Sequence, residues 1–157
     1  MSLYGTFLTD PNLETQGVIF DYGDFRVTLA FAGPSNKVYA RLAEGLLKPY
    51  RRAIETGTMD PEIAQEVMRK LYAKTVVRNW ETAERDPLTG DVIKGEDGEV
   101  KSWKQGIENE EGKIIPFTED NVIVTYRKLP HLFLDHQEMA SKMANYRVKQ
   151  KEDSAKN

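Results

Sequence analysis

Two stripes of apolar residues at helical spacing, parted by the break Gly57-Thr58-Met59-Asp60-Pro61, constrain this chain more than any other feature. In the first, Val38, Leu42, Leu46, Tyr50 and Ile54 recur every four residues, and Ala43, Leu47 and Ala53 widen the stripe. Such spacing puts one apolar face on a helix. Gly57 ends it, since glycine accepts the positive φ of a helix C-terminus. The second stripe holds Ile63, Ala64, Val67, Met68, Leu71, Tyr72, Val76 and Trp80. It opens at Asp60-Pro61, an N-cap followed by proline at the first helical position. Arg69, Lys70, Lys74 and Arg78 fall late in it, where cations suit the helix dipole. A short loop makes two such helices antiparallel neighbours. Residues 34–81 therefore read as a helical hairpin, with Leu42, Leu46, Leu71, Val76 and Trp80 buried between helices. Pro49 stands four residues after Gly45, and proline clashes with the carbonyl at that distance. A kink is expected there rather than two separate helices.

Residues 17–31 read as a β-hairpin. Val18, Phe20 and Tyr22 alternate with Ile19 and Asp21, then Phe25, Val27, Leu29 and Phe31 with Arg26, Thr28 and Ala30. Gly23-Asp24 between the runs is a two-residue turn with glycine first. An isolated two-stranded hairpin is marginal in water. This one must lean on the helices, or gain a third strand from its own chain or from another subunit. Leu3, Tyr4, Phe7 and Leu8 ahead of it are too many apolar residues for a solvated arm; they pack on the core or meet a partner.

The remainder divides by composition. Residues 84–112 carry Glu84, Asp86, Asp91, Glu96, Asp97 and Glu99 among nine acidic against four basic side chains. Turn signals stand at Pro87-Leu88-Thr89-Gly90 and Glu96-Asp97-Gly98. This is expected to be a projecting, mobile insertion of one or two short hairpins. Residues 118–149 read as two C-terminal helices. Thr118 caps the first, Glu119 and Asp120 fill its opening turn, and Leu129-Pro130 breaks it. The last helix presents Leu132, Phe133, His136, Met139, Ala140, Met143 and Tyr146. Residues 150–157 are polar and expected to fray. The whole is one domain over 1–157: α+β and mainly α, an N-terminal β-hairpin packed on a four-helix core, with a projecting acidic insertion.

Composition excludes several functions. A net charge of −3 over 157 residues argues against a nucleic-acid binder driven by phosphate contacts. Lys48, Arg51 and Arg52 around Tyr50 are of the kind that meets RNA, but an exposed basic turn is the favoured reading. With no cysteine, disulfides, cysteine zinc sites and thiol catalysis are out. No apolar run approaches the ~20 residues of a membrane span, and no basic segment leads an apolar one at the N-terminus, so no signal peptide is expected. His131 and Asp135 at four-residue spacing, with His136 and Glu138 near, lack a second cluster to complete a metal shell. No phosphate-binding loop is present, and neither histidine lies near a nucleophile motif. No enzyme, cofactor or metal site is expected.

Several segments, in this order, resemble tail assembly chaperones of long-tailed bacteriophages. They are MSLYGTF at 1–7, YGDFRV at 22–27, GPSNK at 33–37, KPYRRAI at 48–54 with GTMD at 57–60, YAKTVVRNWE at 72–81, KIIPFTEDN at 113–121 and LPHLF at 129–133. Residues 84–109 depart from that pattern as an insertion, so no family role transfers to them. The resemblance implies a non-enzymatic protein of the host cell cytoplasm that binds the tape measure protein, helps recruit tail tube subunits and leaves before the virion is finished. The alternative is a structural tail protein, a completion or connector component. Candidate partner-binding residues are Tyr50, Arg51 and Arg52 in the basic turn and Leu132 and Phe133 on the last helix, with the hairpin edge Gly17–Tyr22 as a further surface. A homo-oligomer fits this reading; nucleic acid and membrane do not.

Overall fold

A four-stranded antiparallel sheet, in the order β1-β2-β3-β4, organises the computed structural model, which describes residues 2–148. Its first two strands are the expected hairpin, β1 (Val18–Asp21) and β2 (Phe25–Leu29), with Val18 opposite Leu29 and Asp21 opposite Arg26. Gly23 takes φ 97°, as a turn with glycine first requires. Two short helices precede it, α1 (Leu3–Phe7) and α2 (Pro11–Gln16). Buried Glu14 ties α2 to the body. Its carboxylate accepts from Thr9 at 2.6 Å and Ser35 at 2.8 Å, and its carbonyl from the Asn36 amide at 3.0 Å. Helix α1 has no buried residue.

The third strand comes from within the expected helical hairpin. Helix α3 (Lys37–Leu47) passes through a 3-10 turn, Lys48–Tyr50, into α4 (Arg51–Glu55), so Pro49 kinks one rod. Helix α5 (Pro61–Leu71) starts at Asp60-Pro61 but does not reach Trp80. It loosens into a π turn, Tyr72–Val76, and the chain continues as β3 (Val77–Ala83). The reason lies in the spacing. Tyr72, Val76 and Trp80 stand four apart, and four residues return to the same side of a strand as well as of a helix. The open side of β2 decides between them. Val27 pairs with Trp80, Arg26 with Glu81, and the Ala30 amide donates to the Val76 carbonyl at 2.7 Å.

The insertion boundary also moves. Strand β4 (Trp103–Gln105) pairs with β3, and Ile107 packs against the core. Strands β5 (Ile107–Glu108) and β6 (Ile114–Ile115) form a small second sheet. Gly106 links β4 to β5 at φ 104°, where a Cβ would lie 2.5 Å from the Ile114 side chain and 2.7 Å from the Ile115 carbonyl oxygen. What projects is therefore 84–101, an arm braced by the bridges Arg85–Val92 and Lys94–Val100.

Helices α6 (Glu119–Lys128) and α7 (Pro130–Ser141) follow, but α7 stops short of the expected 149. Lys142 turns extended at φ −81° and ψ 107°, and Met143 and Tyr146, expected on its face, stand in a 3-10 turn, Met143–Tyr146, that closes the described fold. The expected fraying of 150–157 lies outside the described residues. The sheet face carrying Val27, Leu29 and Trp80 packs on Tyr72 and Val76 of the π turn, Val122 and Tyr126 of α6, and Phe133 and Ala140 of α7. Leu71, Val76 and Trp80 are buried, but Trp80 lies on β3 and not between helices. Leu42 and Leu46 are only half-buried, because α5 and the π turn are the main cover for α3. The opposite sheet face holds the Arg26–Glu81 ion pair at 2.9 Å, with the Arg26 guanidinium 4.4 Å from the Trp103 ring centre.

Candidate partner-binding surfaces

The turn of the first hairpin forms one wall of an apolar trough. Tyr22 and Phe25 flank Gly23-Asp24, and their rings stack at 4.7 Å. With Thr82, Ile107, Leu129 and Leu132 they line a hollow of about 350 Å³. A second hollow of about 630 Å³ lies between the β5–β6 hairpin and α6, lined by Ile115, Val124 and Lys128. Glu108, Thr125 and Leu129 belong to both, so the two are continuous. Leu129 sits at the break between α6 and α7 with φ −123° and ψ 73°, and is 52 % exposed at the mouth; Val124 is 42 % exposed. Ion pairs flank the trough, Asp24–Arg85 at 3.3 Å and Lys128–Glu110 at 2.9 Å.

Several polar groups of the lining are held in internal bonds. The Tyr22 hydroxyl donates to Asp135 at 2.6 Å; burial first, and then this carboxylate, raise the phenol pKa. Thr82 Oγ1 donates to the Gly106 carbonyl at 2.8 Å. Beneath them His136 is fully buried, its Nδ1 2.7 Å from the Tyr126 hydroxyl. Burial pushes its pKa down to about 4, with Asp135 pulling weakly the other way, so the imidazole is neutral at pH 7. His131 is exposed, whereas His136 meets Tyr126 through Nδ1 and its buried Nε2 has no hydrogen-bond partner among the described residues. Among the described residues no group of three His, Asp or Glu side chains is arranged to hold a metal. The trough offers apolar contacts from Tyr22, Phe25, Ile107, Leu129 and Leu132 among polar and charged neighbours such as Asp24, Arg85 and Glu108.

The residues singled out from sequence fall into three places. Arg51 and Arg52 are exposed on α4 beside half-buried Tyr50, and none of the three lines the trough. Leu132 is half-buried in the trough wall. Phe133 is a correction. It is 3 % exposed, with Tyr72 edge-on at 5.3 Å and Tyr126 at 4.5 Å, so it belongs to the core rather than to an exposed surface. Helical spacing placed it on the apolar face but does not say which of two adjacent apolar residues points inward. Edge strand β1 presents Ile19 at 52 % exposure, and α1 presents Leu3, Tyr4 and Phe7 at 62 % or more. Phe25, Ile107, Val124 and Leu129 were missed as trough residues, while Tyr22 was singled out as the end of the hairpin edge 17–22. The one local signal was Leu129, an apolar residue at a helix break and so outside either helical face.

Residues 97–157 match a protein family described as YdaY prophage protein. The match supports a bacteriophage origin for the chain. It begins in the arm and takes in β4, the β5–β6 hairpin and both helices of the trough, and leaves the first hairpin and α3–α5 outside it. No curated protein and no solved structure matches the chain.

Proposed function

We propose that this chain is a non-enzymatic tail assembly chaperone of a bacteriophage, which binds an apolar helix of the tape measure protein and assists assembly of the tail tube. The trough carries the reading: it is open, most of its exposed lining is apolar, and its Tyr22 and Thr82 hydroxyls are bonded internally rather than aimed at a reacting group. The ordered resemblance of segments from 1–7 to 129–133 and the prophage family match at 97–157 support the same setting. Its partners are then the tape measure and tube proteins in the host cytoplasm. Among the described residues no helix is long and apolar enough to cross a membrane.

The test is capture of tape measure segments by the native chain and by Val124→Asp/Leu129→Asp. Both side chains stand at the trough mouth, so circular dichroism should be unchanged while capture falls at least about tenfold, the cost of roughly 1.4 kcal/mol of lost contact. Undiminished capture by a folded variant removes the trough from the reading. Mass spectrometry of purified virions should lack this chain; a stoichiometric amount there would make it a structural tail component instead.

A further inference from the structure

The outward side of the α3–α4 rod is cationic. Arg41, Lys48 and Arg52, at positions that share one helical side with Gly45, are exposed, and Lys37 and Arg51 flank them. Among the described residues none of these five cations is in an ion pair, while Glu44 and Glu55 are the only acids of the rod. Nothing covers Gly45, where an added Cβ would meet no atom within 4 Å, and Val38, 56 % exposed, stands two turns earlier on the same side. The rod therefore shows a cationic strip with a notch at Gly45, where no side chain stands.

The arm is its complement. Over 84–101 it carries Glu84, Asp86, Asp91, Glu96, Asp97 and Glu99 against Arg85, Lys94 and Lys101. Among the described residues none of the six acids is in an ion pair. Asp86 and Asp97 instead accept from the amides of Leu88 and Glu99, bonds that shape the two turns. At the outer turn Leu88 is 93 % exposed, an apolar knob between Asp86 and Asp91.

We propose that the arm of one copy docks on the α3–α4 strip of a second copy, its carboxylates on Arg41, Lys48 and Arg52 and Leu88 at the Gly45 notch. Each copy then has one surface to give and a different one to receive, which permits a reciprocal pair or a ring. This does not rest on the chaperone reading, because neither the cations of the strip nor the acids of the arm line the trough. Opposite charges on partner surfaces speed and orient association and are screened by salt.

Sedimentation velocity of the full chain tests it. An oligomer is expected at an ionic strength of about 0.01 M, dissociating at about 1 M, as the Debye length falls from about 30 Å to about 3 Å. Arg41→Glu/Arg52→Glu should be a monomer, and so should Glu96→Lys/Asp97→Lys, each with native circular dichroism. Arg41→Gln/Arg52→Gln serves for the first if the reversal does not fold. Mixed together, the two reversed variants should associate again, because each offers the charge the other now needs. A native chain that stays monomeric at low salt overturns the proposal. So does an oligomer that survives both reversals, or a mixture that fails to reassociate.

Discussion

Phe133 and His136 lie one helical turn apart on α7 and bury different chemistry. Phe133 fills space between two tyrosines, so Phe133→Ala leaves a cavity and should cost about 3–5 kcal/mol. Urea unfolding measures it; a loss under about 1 kcal/mol would mean that the ring is not core. His136 is buried as the neutral base, with a pKa near 4 where an unfolded chain has about 6.5. Between those values the unfolded chain binds a proton that the folded chain refuses. Stability therefore declines as pH falls from about 6.5 towards 4, by on the order of 3 kcal/mol in all. The urea midpoint should drop over that window in the native chain and drop less in His136→Phe. Equal slopes would assign the acid sensitivity to other groups.

At the scale of elements, the sheet rather than the helical hairpin decides where boundaries fall. The arm leaves β3 and returns as β4, and the Glu84 amide donates to the Ser102 carbonyl at 3.0 Å across its base. Replacing 86–100 by a short Gly-Ser turn should leave a β3–β4 hairpin and shift the thermal midpoint little, since loop length adds closure entropy slowly. Extending the deletion through Lys104 removes Trp103 and most of β4, and should lower the midpoint by several degrees. Equal midpoints for the two deletions would show that β4 contributes nothing. Local chemistry made many boundaries legible: Gly23-Asp24, Pro49, Asp60-Pro61, Thr118 and Leu129-Pro130 each stand where an element turns, bends or starts. What local chemistry could not show was pairing. Val77–Ala83 carries apolar positions in phase with both periods, and only the vacant side of β2, distant in sequence, makes it a strand. The trough stayed hidden for the same reason. Its walls come from the first hairpin, from β5–β6 and from the α6–α7 break, and no stretch of sequence contains more than one of them.

Across the whole molecule, the two ends of the described chain close on each other. The Tyr146 hydroxyl donates to the carbonyls of Leu29 at 3.0 Å and Ala30 at 3.2 Å, the Ala32 amide to the Ala140 carbonyl at 2.8 Å, and the Asp10 amide to the Tyr146 carbonyl at 2.8 Å. Ending the chain after Ser141 should therefore destabilise all of it by several kcal/mol rather than loosen one end, through lost burial of Tyr146 and unmet buried carbonyls. Calorimetry would show a single transition at lower temperature; a native-like transition would mean that the closing turn is dispensable. The same closure sets a clock on synthesis. Leu29 leaves the ribosome 117 residues ahead of the tyrosine that seals it. At about 5–20 residues per second that is an interval on the order of ten seconds. Through it the Leu29 and Ala30 carbonyls wait for their hydroxyl partner, although the π turn and α6, which cover the same sheet face, are made earlier.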